Sequence, residues 1–198
     1  EIAQDSLRQW HTGSIVGIDD EHDTYAWLGI PYAKAQRWLA PEPVSAWQTT
    51  FEATAFGDFC SQYGGPAVTI NPLQWGKVLG SEDCLTLNIW SPRFTPNDLA
   101  QTQPLPVMVW IHGGGFTGGS GSSPGNAGNK FANDGVILVT INYRLGRLGF
   151  FAFPALSAEH PEEPKGNYGY MDQMAALHWV QENIAAFGGD PNNVTIFG

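Results

Sequence analysis

Three unbroken apolar runs mark the second half of the chain. They are Pro106-Val107-Met108-Val109-Trp110-Ile111, Gly135-Val136-Ile137-Leu138-Val139-Thr140-Ile141 and Val194-Thr195-Ile196-Phe197. Short runs rich in β-branched residues predict strands covered on both faces. Upstream, Leu85-Thr86-Leu87-Asn88-Ile89-Trp90 alternates apolar with polar and predicts a half-buried strand. Residues 14–18 and 25–28 flank the polar Asp19-Asp20 and predict an antiparallel hairpin. Residues 30–80 are rich in Pro, Gly and Trp with no sustained period, which predicts irregular loops and short helices. Residues 129–134 allow a turn or two of helix, and residues 167–187 predict a long one. In the long helix Met171, Met174, Leu177 and Gln181/Ile184 recur at helical spacing, and Asp172 falls in the opening turn, where it suits the dipole. Gly188-Gly189 and then Pro191 end it.

Strand, long connection, strand, helix, strand is the α/β pattern with a parallel sheet. The third apolar run ends the sequence, so an open edge of Val and Ile is expected, facing solvent or another chain. The 198 residues, 42% hydrophobic, suffice for one sizeable core. The net charge of −10 repels a phosphate backbone and argues against nucleic acid as a partner. No Lys/Arg cluster offers itself to an anionic membrane, and runs such as 107–111 and 136–139 are far too short to span one. No signal peptide begins at Glu1, consistent with a cytoplasmic protein or one already processed. The two cysteines, Cys60 and Cys84, read either as buried thiols or as a disulfide closing about 25 residues and adding about 3 kcal/mol.

Candidate chemistry sits in His112-Gly113-Gly114-Gly115-Phe116, directly after the first buried strand. Consecutive glycines let backbone N–H groups converge where an oxyanion develops, as in the HGGG-type loops of lipases and esterases. The spacing Gly113-x-Gly115-x-x-Gly118 also fits a dinucleotide fingerprint, but that motif must open a helix. Here Gly119-Ser120-Gly121-Ser122-Ser123-Pro124-Gly125 follows, and Asp134 precedes the next strand instead of following it. Gly121-Ser122-Ser123-Pro124-Gly125 imitates a nucleophile elbow. Pro124 has no N–H to complete an oxyanion hole and no strand or helix flanks the motif, so Ser123 reads as a loop serine. Of the five histidines, His112 reads as support for the glycine loop and His178 as a surface or packing residue of the long helix. His11, His22 and His160 fall in polar loops, and no pair has metal spacing. Neither a metal nor a cofactor is expected. Phe116, Trp75 and Tyr143 are candidates to line an acyl or alcohol pocket, or simply to pack. The sequon Asn193-Val194-Thr195 enters an apolar strand and is expected to stay unmodified.

Six blocks in order resemble the type-B carboxylesterases, the carboxylesterase/cholinesterase family. They are Gly29-Ile30-Pro31-Tyr32-Ala33; Ser81-Glu82-Asp83-Cys84-Leu85 with Leu87-Asn88-Ile89-Trp90; Trp110-Ile111-His112-Gly113-Gly114-Gly115-Phe116; Asn142-Tyr143-Arg144 with Gly149-Phe150; Gly166-Asn167-Tyr168-Gly169 with Asp172-Gln173; and Phe187-Gly188-Gly189-Asp190-Pro191. The resemblance implies an α/β-hydrolase fold: an N-terminal antiparallel hairpin leading into a mostly parallel sheet with flanking helices, incomplete at its C-terminal edge. Residues 1–198 would be the N-terminal part of one catalytic domain. It implies oxyanion-hole donors at Gly114 and Gly115, a disulfide between Cys60 and Cys84, and a buried ion-pair cluster of Arg37, Glu82 and Arg144. It further implies hydrolysis of a small-molecule carboxylic ester through an acyl-enzyme. The serine would lie just beyond Gly198, the first glycine of an expected Gly-Glu-Ser-Ala-Gly elbow, with the acid and histidine in the remainder of the same polypeptide. Residues 1–198 alone are then expected to be inactive. The family's Pro-Pro-x-Gly turn before Arg37 is absent, so the loop is shortened or residues are missing there. A catalytically inactive adhesion or binding relative is the other reading, distinguished by Gly or Ala in place of serine two positions past Gly198. The disulfide, if formed, points to a secreted or periplasmic protein.

Overall fold

The computed structural model describes every residue of the chain except 11, 21, 67, 70 and 123–126. Four strands open it: β1 (Arg8–Trp10), β2 (Gly13–Val16), β3 (Ile18–Asp19) and β4 (Thr24–Pro31). Five two-residue strands follow in the loops: β5 (Ala33–Lys34), β6 (Glu42–Pro43), β7 (Phe51–Glu52), β8 (Gln62–Tyr63) and β9 (Val78–Leu79). The long strands are β10 (Thr86–Pro92), β11 (Leu105–Ile111), β12 (Ile137–Ile141) and β13 (Gly189–Phe197). The helices are α1 (Pro96–Leu99), α2 (Asn129–Asn133), α3 (Gly146–Phe150), α4 (Pro154–Glu159) and α5 (Tyr168–Asn183).

Six strands build the central sheet in the order β13-β11-β12-β10-β4-β3. β11 runs parallel to both β12 and β13, whereas β10, β4 and β3 continue the sheet antiparallel. The antiparallel part is therefore larger than one hairpin. The hairpin itself is shorter than its pattern predicts, since only Ile18↔Ala26 and Asp19↔Tyr25 pair in it. Residues 13–16 pair instead with β1 and β7 in a separate small sheet. The switch falls at Gly17, where any Cβ would press on the Ala26 carbonyl and the Trp27 ring.

Burial follows position in the sheet. β10 lies between two strands and is buried on both faces, Asn88 included, despite its alternating sequence. β13 pairs only with β11 and forms an edge: Asn193 and Thr195 are exposed, and Ile196 is 57% exposed. Within residues 1–198 the sequon residues Asn193 and Thr195 lie on this uncovered edge.

The long helix also turns differently from its predicted face. Its buried residues are Tyr168, Gly169, Asp172, Ala176, Trp179, Val180 and Asn183. Met174 is exposed, and Met171 and Leu177 are half-buried. Asp172 does not cap the first turn but lies one turn further on, fully buried. A single 3-10 turn (Ile184–Phe187) continues the helix to Gly188 in the left-handed conformation. Beneath it Trp10 packs edge-on to Trp179 at 5.2 Å, and Trp27 edge-on to Phe187 at 4.9 Å. Truncating a buried ring such as Phe187 to Ala would cost about 3–5 kcal/mol.

Cys60 and Cys84 form a disulfide, closing the loop that carries β8 and β9. No helix among the described residues is long and apolar enough to cross a membrane.

Candidate active site

The parallel register brings three strand ends to one place. Ile111 pairs with Ile141, and Trp110 with Phe197, so Gly198 lies against the Ile111 carbonyl. His112 and the glycine run leave β11 at this end, and Asn142-Tyr143-Arg144 leaves β12 beside them. The carboxyl ends of parallel strands are the usual ligand-binding edge of an α/β sheet.

Gly114 and Gly115 both adopt positive φ, +124° and +60°, and Phe116 follows at +62°. A Cβ on Gly114 would collide with the Gly118 carbonyl, so the tight turn requires glycine there. Residues 113–117 are exposed, and among the described residues the amides of Gly114 and Gly115 have no protein acceptor. The Gly114 carbonyl is occupied, accepting from the Thr117 N–H at 3.1 Å. Two free donors on a tight glycine turn are suited to a developing negative charge.

What fixes this turn is a set of polar side chains beneath it. Gln62 accepts from the Gly119 N–H at 2.8 Å and donates to the Gly119 carbonyl at 2.8 Å and the Cys60 carbonyl at 3.0 Å. Asn142 accepts from the Gly121 N–H at 2.9 Å and donates to Ser122 Oγ at 2.8 Å and the Asp58 carbonyl at 3.1 Å. Asn88 and Thr140 both donate to the Gly121 carbonyl, at 3.1 and 2.7 Å. Asn88 and Asn142 fall within the family-like blocks, but nothing in the pattern assigns them this role. The available signal is a polar residue inside an otherwise apolar strand, as at Asn88 and Thr140.

His112 is buried and stacked on Tyr143, with centroids 4.4 Å apart. Its Nδ1 lies 2.9 Å from the Gly113 carbonyl, and the Tyr143 hydroxyl donates to the His112 carbonyl at 2.9 Å. Burial lowers the imidazole pKa, and the contact to Gly113 partly offsets it. These contacts fit a supporting residue. Phe116 lies on the exposed side of the loop, 4.9 Å from Phe150 and 5.6 Å from Tyr170, and its carbonyl accepts from the Gly146 N–H at 2.7 Å. Trp75 is half-exposed on the disulfide-closed loop, its Nε1 donating to the Thr69 carbonyl at 3.2 Å. His178, His160 and His22 are exposed, while His11 and Ser123 lie outside the described residues. Among the described residues no group of three or more His, Cys, Asp and Glu side chains could hold a metal.

The charged cluster expected of Arg37, Glu82 and Arg144 is only partly formed: Arg144 helps to lower the Glu82 carboxyl pKa through space, after the Arg37 bond, but makes its direct ion pair elsewhere. Arg37 pairs with Glu82 at the surface, with side chains 54% and 39% exposed. Arg144 pairs with the buried Asp172 instead: Nε donates to Oδ2 at 2.8 Å, Nη2 to Oδ1 at 2.7 Å, and the Arg144 amide to Oδ2 at 3.0 Å. Burial pushes the Asp172 carboxyl upward, and these three donors pull against that shift. Arg144 Nη1 also donates to the Gln36 and Leu39 carbonyls, so the short 36–39 turn closes directly over the guanidinium.

The chain is 44% identical over 196 residues to the fumonisin B1 esterase of Sphingopyxis macrogoltabida, covering 97% of this chain and 34% of the relative. It is 45% identical over 183 residues to the para-nitrobenzyl esterase of Bacillus subtilis, covering 90% of this chain and 35% of the relative. It thus spans about a third of the length of these relatives. A solved PNB esterase superposes with a TM-score of 0.82 at 42% identity over 98% of this chain and 38% of its own. A carboxylesterase of Geobacillus stearothermophilus gives 0.73 at 43% identity, over 98% of this chain and 37% of its own. The fold is that of the α/β-hydrolases. With the carboxylesterase family model matching residues 4–198, the chain belongs to the carboxylesterase family.

Proposed function

We propose that the whole protein hydrolyses carboxylic esters of small molecules through an acyl-enzyme, and that this chain contributes the oxyanion hole. The observation that carries the reading is the pair of exposed, unpartnered amides at Gly114 and Gly115, held at the carboxyl ends of the parallel strands. A serine on the polypeptide following Gly198 would emerge beside Ile111 and His112, within the same cluster of strand ends. It attacks the ester carbonyl while a histidine, oriented by a carboxylate, takes its proton. The N–H groups of Gly114 and Gly115 hold the tetrahedral oxyanion, the alcohol leaves, and water then releases the acid. In this reading residues 1–198 form the N-terminal part of one catalytic domain. The names of the esterase relatives support the reaction class, and the Cys60–Cys84 disulfide supports a secreted or periplasmic location.

The test is labelling of the full-length protein with a fluorophosphonate, together with hydrolysis of p-nitrophenyl acetate. Stoichiometric labelling that abolishes hydrolysis is expected. A folded full-length protein that neither labels nor turns over would refute the reading and favour the inactive binding relative.

A further inference from the structure

The chain has five arginines, and four are engaged. Arg8 donates to backbone carbonyls and lies 4.9 Å above the Trp27 ring. Arg37 pairs with Glu82, Arg93 with Asp19 and Asp23, and Arg144 with Asp172. Arg147 is the exception: among the described residues its guanidinium meets no carboxylate, carbonyl or ring. Asp and Glu number 19 against nine Lys and Arg, so this cation is not unpaired for want of carboxylates.

Arg147 lines a groove of about 400 Å³, within the range of small-molecule sites. Val78, Leu145 and Leu148 give the groove apolar walls, and Ser61 and Thr117 add hydroxyls. The groove adjoins the glycine turn. Thr117 is two residues past Gly115, and the amide of Gly146, beside Arg147, donates to the Phe116 carbonyl. The Arg147 backbone is fixed in turn, its carbonyl accepting from Trp38 Nε1 at 2.9 Å.

We propose that Arg147 binds a carboxylate carried by the ester, so that the enzyme prefers amphipathic esters with a free acid group, such as half-esters of dicarboxylic acids. This rests on the esterase reading above. The apolar part of the ester lies along Val78, Leu145 and Leu148 while its carbonyl reaches Gly114 and Gly115. A guanidinium suits the task because its planar fork takes a carboxylate through two parallel N–H···O bonds.

The experiment compares kcat/KM of the full-length protein for two matched pairs. Mono-p-nitrophenyl adipate against p-nitrophenyl hexanoate places the charge on the acyl half. 4-Acetoxybenzoate against phenyl acetate places it on the alcohol half. In at least one pair the anionic-to-neutral ratio should fall about tenfold in Arg147→Gln, equivalent to about 1.4 kcal/mol, and Arg147→Lys should keep part of it. Turnover of the neutral esters reports that each variant is folded. Ratios that do not move in either pair, while the neutral esters are still hydrolysed, overturn the preference and leave the esterase reading standing. Failure of the wild-type protein to hydrolyse any of the four esters overturns both.

Discussion

Asp172→Asn is the substitution that best separates this structure from the ion-pair cluster expected of Arg37, Glu82 and Arg144. Asp172 is fully buried and Arg144 is 4% exposed. The carboxylate receives two guanidinium bonds and one backbone amide. Asparagine keeps the shape and one acceptor but leaves the Arg144 charge uncompensated away from water. Breaking a buried pair in this way costs about 3–5 kcal/mol. Glu82→Gln breaks a pair that water already screens, and its effect should be hard to resolve from wild type. Urea unfolding of the full-length protein, comparing both variants with wild type, measures the difference. A double variant, Asp172→Asn with Arg144→Met, removes the stranded charge and should recover part of the loss. If Asp172→Asn costs no more than Glu82→Gln, the assignment of the buried pair is wrong.

Other outcomes are equally specific. Gly114→Ala forces a Cβ onto the Gly118 carbonyl and should lower kcat for p-nitrophenyl acetate about 100- to 1,000-fold; Gly115→Ala meets open space, is strained only by its φ of +60°, and should lose less. Replacing Cys60 and Cys84 by serine opens a loop with a sequence separation of 24 and should destabilise the protein by about 3 kcal/mol, read as a lower unfolding midpoint under oxidising conditions. Because the folded pKa of His112 lies below its unfolded value near 6.5, the unfolded chain binds the extra proton first. Its contribution is therefore fully present above pH 6.5 and is lost as pH falls through the lowered folded value, whereas His112→Gln should flatten that part of a stability-versus-pH curve.

The continuous apolar runs located β11 and β12 well, because strands inside a sheet need little beyond β-branched bulk, whereas the run 194–197 marked only the end of the edge strand β13, which begins at Gly189. The glycine turn was legible for the same local reason: three consecutive glycines have few structural uses other than a close backbone approach. The alternation at 85–90 misled because it puts Thr86 and Asn88 on the wet face of a half-buried strand, opposite Leu87 and Ile89. Asn88 is instead buried with all its polar atoms engaged: it accepts from the Gly29 N–H at 2.8 Å and donates to Gly121 and Thr140. The methionine spacing on α5 misled because Asp172 sits on the inward face, and a charged residue at a core position is invisible until its partner is known. That partner, Arg144, is 28 residues away in sequence. The small sheet of β1, β2 and β7 joins segments with no local signal linking them.

Asn142, Tyr143 and Arg144 each hold a different part of the molecule. The first grips the Gly121 turn and Asp58, the second the His112 carbonyl, and the third α5 and the 36–39 turn. Mutational effects in these otherwise separate segments should therefore be non-additive, with coupling energies of about 0.5–3 kcal/mol in double-mutant cycles run through this tripeptide. An engineer reshaping the 36–39 turn would then be altering the glycine turn as well, through a strand terminus buried away from solvent.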